Sequence, residues 1–256
     1  MAEQAETAVY VYGIVPADTE VEPGTGGVGD PPGEVRLVRH RDLAALVSDV
    51  PVGAPLGRPE DLVAHEELLD AAVTGVPVLP LRFGAVVTDD EAVSRELLDE
   101  HHDEFAGALK QLEGRAEYVV KGRYAEGAIM REVLQASQEA AELREQIKGT
   151  DENATRYQRI RLGEIVSEAV SGHRERDTRA VGDALDGHVE ASLVREPTHE
   201  LDAVHTAFLA ETGKEPELER ALDKLARDWE GRIELRLLGP LAAYDFVGAA
   251  QPDPED

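Results

Sequence analysis

Apolar and polar residues along this chain change period several times, and the changes divide it into elements. The stretch VYVYGIVP (9–16) is β-branched and aromatic and is closed by Pro16, which predicts a strand. EVRLVRH (34–40) and LAALVSDV (43–50) read as two more strands, with Arg41 and Asp42 at the turn between them. The spacing then becomes helical. Leu62, His65, Leu69 and Ala72 or Val73 predict the buried face of a helix that starts near Pro59. PVLPLRFGAVV (77–87) reads as extended, because Pro80 denies it a helix interior. Thr88 and Glu91 form a capping box ahead of a second helix, with Val93, Leu97, His101, Phe105, Ala108 and Leu112 along its seam and Gly114 as its stop.

The remainder follows a second programme. AEYVVKGRY (116–124) reads as a strand. Ile129, Val133, Ala136, Ala140, Leu143 and Ile147 then recur in steps of four and three, which is coiled-coil spacing, until KGTDEN (148–153) breaks the stripe. Helical stretches over 154–171 and 175–187 are separated by Gly172. VEASLVRE (189–196) and LDAVHTAFLA (201–210) look extended. Pro216 opens a helix with Leu218, Leu222, Leu225 and Trp229 inward, and RIELRLLGP (232–240) alternates with Ile233, Leu235 and Leu237 inward. Strand, helices, strand, strand, helix, strand is the split order of a ferredoxin-like domain with extra helices in its first crossover. The expected fold is therefore α+β in two domains. An N-terminal α+β domain covers 1–114, and a modified ferredoxin-like domain covers 115–247 with a helical insertion at about 126–187. GAAQPDPED reads as a disordered acidic tail over 248–256.

Charge narrows the partners. The chain has 256 residues, 42% of them apolar but only 4% aromatic, so its core is built from Leu, Val and Ala. Its 53 acidic and 26 basic residues give a formal net charge of −27, which repels phosphate backbones and anionic membrane surfaces. No nucleic-acid or membrane partner is expected. There is no cysteine, which removes disulfides, thiolate metal sites and a cysteine nucleophile and fits a cytoplasmic setting. MAEQAETAVYVYGIV carries no basic region ahead of its apolar run and does not read as a signal peptide.

Several spellings invite chemistry and fall short of it. Gly24, Gly26 and Gly29 form a G-x-G-x-x-G, but the fingerprint must leave a strand tightly and enter a helix at once. Here Asp30-Pro31-Pro32-Gly33 and another strand follow, so the segment reads as a flexible connection rather than a dinucleotide loop. His65-Glu66 lacks the second histidine of a zincin, since position 69 is Leu, and His65 reads as a hydrogen-bonded core residue. His101 and His102 are adjacent on a helix, point about 100° apart and cannot face one ion, with His101 expected inward and His102 outward. Neither a nucleophile elbow nor a Walker loop is present. No metal or cofactor is expected. Arg82 stands out, because it sits in an apolar run and is followed by Phe83 and Gly84. A charge there needs a partner or an exit to solvent. It reads either as a structural clamp on Glu66 or an acidic loop, which is the preferred reading, or as part of a groove that receives another chain.

Taken together, these blocks resemble the gas vesicle protein L/F family. The likeness runs through VYVYGIVP, VRLVRHRDLAALVSDVP, HEELLDAAVTGVPVLPLRFGAVVTDDEAV, EYVVKGRY, YQRIRLGEIVSEAV, AVHTAFLA and ELRLLGPLAAYDFV, which covers nearly the whole chain. The family's last block tends to read Gly-Pro-Trp-Pro-Pro-Tyr-x-Phe. Here Gly239, Pro240, Tyr244 and Phe246 keep the frame, while Leu241, Ala242 and Ala243 replace the aromatic and the prolines. The resemblance implies two α+β domains and a non-enzymatic accessory or minor structural protein of the gas vesicle. Its implied partners are the small apolar shell protein and other accessory proteins, and its implied location is the cytoplasm, at the vesicle. His65, Glu66, Pro80, Arg82, Phe83, Gly84, Tyr244 and Phe246 are the candidate partner-binding or clamp residues. The competing readings are an enzyme, or a ligand-binding regulatory module, with a pocket near Arg82, His65 and Glu66.

Overall fold

The computed structural model describes residues 7–53 and 55–247, and the tail at 248–256 lies outside them. In chain order the elements are β1 (Thr7–Pro16), β2 (Arg36–His40), β3 (Leu43–Pro51), α1 (Pro59–Val73), β4 (Leu79–Pro80), β5 (Val86–Val87), α2 (Asp90–Ala92), a π-helical run Val93–Asp99, and α3 (His102–Leu112). There follow β6 (Arg115–Tyr124), α4 (Ala128–Ala136), α5 (Gln138–Ile147), α6 (Arg156–Leu185), β7 (Ala191–Val194), β8 (Asp202–Glu211), α7 (Glu215–Asp228), β9 (Ile233–Leu241) and a short 3-10 turn at Tyr244–Phe246. The fold is α+β with two antiparallel sheets. The first has the order β2-β3-β1-β4, with β5 also on β1; the second has the order β7-β8-β6-β9. Counted from β6, that second order is 2-3-1-4, the arrangement of a ferredoxin-like sheet.

The backbone groups into two compact units. One takes residues up to Tyr118, Leu209–Gly213 and the stretch from Gly239 onward; the other takes Val119–Phe208 and Lys214–Leu238. In the first unit, β1 is the central strand, which explains its unbroken apolar character. Val9 and Val11 face a core that includes Leu98, Phe105 and Leu109. A bulge between Val11 and Gly13 shifts the register against β3, and Ile14 joins the same core beyond it. The other face of β1 carries Tyr10 and Tyr12, both fully buried.

Several sequence expectations are corrected here. The buried stripe of α1 is Asp61, His65, Leu69 and Val73, whereas Leu62 is 42% exposed. The cap of the next helix is Asp89, whose side chain accepts the Ala92 N–H at 2.9 Å, rather than Thr88. Along Val93–Asp99 the wider π turn inserts a phase shift, so Leu98 is buried in place of Leu97. The shift also reverses the histidines. The His102 side chain is 18% exposed and lies 2.6 Å from Asp42, while that of His101 is 36% exposed. The stripe from Ile129 to Ile147 belongs to two helices, because Ser137 is extended and caps α5 through the Ala140 N–H. Conversely, Gly172 does not interrupt α6, which runs unbroken for 30 residues.

The glycine-rich segment is tied down rather than flexible. The Val28 N–H donates to Tyr12 Oη at 2.8 Å, and the Gly29 N–H donates to Asp61 Oδ1 at 2.9 Å. A Cβ on Gly27 would fall 1.9 Å from Tyr12 Oη, and one on Gly33 would fall 2.5 Å from the Asp49 carbonyl. The glycines serve close packing against β1 and β3.

Candidate functional site

The candidate residues of the first unit gather around His65. Tyr10 and Tyr12, two apart on β1, project to one face, and α1 delivers His65 onto it. His65 Nδ1 lies 2.9 Å from Tyr10 Oη, and its Nε2 lies 2.7 Å from Tyr244 Oη. Tyr10 Oη also accepts the Gly84 N–H at 3.1 Å. Which group donates in each of these two bonds depends on the imidazole tautomer. The Tyr12 ring stacks on the imidazole at 5.6 Å and 28°, and the Phe83 ring meets it edge-on at 5.6 Å and 74°. Burial drives the His65 pKa down from 6.5 to about 4 and raises those of Tyr10 and Tyr244, so the centre is neutral.

Asp61, one turn before His65, accepts backbone N–H groups from Gly29, Gly57 and Arg58. The Gly29 bond is the largest influence holding its carboxyl below the usual carboxylate range. Asp70, two turns further on, accepts the Ala242 N–H at 2.8 Å. A proline at 242 could not make that bond. Gly239 in the same block has φ +141°, and a Cβ there would fall 2.6 Å from Tyr118. Phe246 packs on the first unit's apolar core.

Pro80 pairs with Gly13 at the sheet edge. The chain then bonds to β1 through Leu81 N–H, leaves it, and returns where Val11 N–H donates to Ala85. The excursion is Arg82-Phe83-Gly84, with Gly84 at φ +94°. Phe83 is half-buried, pinned between Tyr10 and His65, while Arg82, Gly84 and Glu66 are exposed. Arg82 makes no hydrogen bond or ion pair among the described residues, so it is not clamped to Glu66. The structure thus brings His65, Phe83, Gly84 and Tyr244 together and leaves Glu66 and Arg82 pointing to solvent. Tyr10, Tyr12 and Asp61 were missed. Their signals are the alternation within VYVY and the 61-65-69-73 spacing.

A second cluster, absent from the sequence reading, centres on Arg232 in the other unit. Its guanidinium reaches Asp177 at 2.8 and 2.9 Å and Glu132 at 2.7 Å, and it lies over the rings of Tyr124 and Trp229. Tyr124 donates to Asp177 at 2.8 Å, and His173 lies 3.4 Å from Glu132. The cluster ties α4 and α6 to the sheet. Among the described residues, no group of three or more His, Asp or Glu side chains is placed to hold a metal ion. No helix among them is long and apolar enough to cross a membrane.

The sequence profile described as Gas vesicle synthesis protein GvpL/GvpF matches residues 8–248. The chain belongs to this gas vesicle protein family. A gas vesicle protein F from a Streptomyces species is 36% identical over 94% of this chain and 99% of its own length. A gas vesicle protein L from the same source is 33% identical over 95% and 94%. The crystal structure of GvpF from an Anabaena species shares the fold with a TM-score of 0.76 at 23% identity, covering 94% of this chain and 98% of that one. Within this chain Tyr244 bonds to His65 Nε2, Phe246 packs on the first unit's apolar core, and Gly239 lies against Tyr118.

Proposed function

We propose that this member of the gas vesicle family is a non-enzymatic accessory or minor structural protein. It binds the small hydrophobic shell protein and assists vesicle assembly in the cytoplasm, with other accessory proteins as further partners. The observation that carries the reading is the match over residues 8–248 to a gas vesicle family. The Arg82-Phe83-Gly84 turn is the proposed contact. It is held by the Gly84–Tyr10 hydrogen bond and the Phe83–His65 ring contact, and it presents Arg82 without an internal partner among the described residues. A turn whose shape is fixed beforehand loses little conformational entropy on docking. The net charge of −27 keeps an apolar passenger's complex dispersed. A reactive pocket at Arg82, His65 and Glu66 finds no support in the geometry, because both His65 nitrogens are occupied and the other two side chains face solvent.

The test is co-expression with the shell protein, affinity capture and size-exclusion chromatography. The expected result is co-elution, with the shell protein retained in solution, and loss of the complex in Arg82→Glu while the thermal unfolding midpoint stays unchanged. Aggregated shell protein beside a freely eluting chain would refute the binding role.

A further inference from the structure

The second unit holds a cleft of 440 Å³ between the later turns of α6 and the strands β7 and β8. Its lining residues fall between 174 and 205, all within that one unit. Val194, Pro197, Ala203 and Val204 give it an apolar wall on the sheet side. A concave, mostly apolar site of this size with a few convergent polar groups has the dimensions of a small-molecule site.

Two of its charged residues are spent inside the chain. Arg174 donates from Nε to the Asp202 carbonyl at 2.6 Å and from Nη2 to the His199 and Glu200 carbonyls, so it holds the turn between β7 and β8. The Asp202 carboxylate accepts the Thr198 and His199 N–H groups, each at 2.8 Å. Glu175 and Arg179 differ. They stand four residues apart on α6, in the order that favours an ion pair. At the same spacing Glu91 and Arg95 close to 2.7 Å. Glu175 and Arg179 make no hydrogen bond or ion pair among the described residues, with each other or with any other group, and both border the cleft.

His205, also in the lining, adds a third unmet group. Its Nδ1 lies 3.1 Å from the Glu196 carbonyl. A carbonyl only accepts, so Nδ1 carries a hydrogen and Nε2 of the uncharged ring is an acceptor. That Nε2 is buried with no partner among the described residues, a condition that a ligand donor relieves. A carboxylate and an imidazole acceptor call for an ammonium, a guanidinium fork calls for a carboxylate, and the sheet side calls for an apolar body. We propose that the cleft binds a free α-amino acid with an apolar or aromatic side chain. Its ammonium lies toward Glu175 and His205, its carboxylate on Arg179, and its side chain against Val194, Pro197 and Val204. Such a zwitterion carries no net charge, so the chain's −27 does not oppose its approach. The inference goes beyond the proposed function and does not depend on it.

The test is isothermal titration calorimetry of the full chain with L-leucine and L-phenylalanine as probes, beside leucinamide, which lacks the carboxylate, and N-acetyl-L-leucine, which lacks the ammonium. Wild type is compared with Glu175→Gln, Arg179→Gln and Val194→Asp. All three positions are exposed, and circular dichroism melts check that each variant folds. The expected result is saturable binding of at least one of the two amino acids, weakened about tenfold or more by each variant. Leucinamide should bind weakly to wild type and no more weakly to Arg179→Gln, and N-acetyl-L-leucine should stand in the same relation to Glu175→Gln. Absence of binding by both amino acids at millimolar concentration would overturn the inference. So would binding that all three variants leave unchanged, or N-acetyl-L-leucine binding as tightly as L-leucine.

Discussion

Each unit has one cluster that joins segments far apart in sequence, and the two use opposite chemistry. Around His65, the first unit assembles Tyr10, Tyr12, Phe83 and Tyr244, all neutral, with hydrogen bonds that satisfy the imidazole on both sides. Around Arg232, the second unit assembles Asp177 and Glu132, with Tyr124 and Trp229 against the guanidinium. A neutral cluster loses stability in small steps as its groups are removed, because each deletion gives up one hydrogen bond or ring contact. A charged cluster in a poorly solvated place fails abruptly, because removing one partner strands the other's charge.

The largest expected effect comes from breaking the charged cluster. Asp177→Ala removes the carboxylate that takes two guanidinium bonds and should cost roughly 3 kcal/mol in urea unfolding. Replacing all three charged members, Asp177→Leu with Arg232→Met and Glu132→Leu, should recover most of that loss, since none of the three charges is then left unpaired. A single variant as stable as wild type would show that the cluster does not hold the helices.

The neutral cluster is probed by pH. His65 has a folded pKa of about 4 against an ordinary value of 6.5, so between those values the unfolded chain binds a proton that the folded chain refuses. Stability therefore falls as pH is lowered through that window, by up to about 3 kcal/mol in total. His65→Phe should flatten this limb in urea titrations compared at about pH 5 and about pH 7. An unchanged slope would remove His65 as its source. His102 has the opposite sign. Asp42 and then Asp103 raise its pKa, so its contribution is present at low pH and lost as pH rises through that raised value. The smallest effect should be Tyr244→Phe, which gives up one hydrogen bond and should cost about 1 kcal/mol in the same assay. A loss near that of Asp177→Ala would contradict the graded behaviour expected of the neutral cluster.

Much of the fold was legible, because hydrophobic period reports local geometry. The strands around Val9, Leu43 and Ala116, the helix at Pro59, and the β-helices-β-β-α-β order all follow from residues close in sequence. Errors arose where period and phase part company. The π turn at Val93–Asp99 moved burial from Leu97 to Leu98, and a single extended residue, Ser137, split a stripe that is continuous in the sequence. Asp61 was overlooked because a carboxylate reads as surface, although three backbone N–H groups make its burial favourable.

The candidate site was half legible. His65, Phe83, Gly84 and Tyr244 were each visible as residues, yet nothing in the sequence joins position 65 to position 244 or shows that Arg82 finds no partner among the described residues. By itself the sequence determined the α+β class, the family and the strongly acidic surface, because these depend on composition, local period and blocks of fixed spacing. Tertiary structure alone decided which charges pair, which glycines are needed for close approach and which residues of α6 border a cleft. Those outcomes depend on distances between segments brought together by folding.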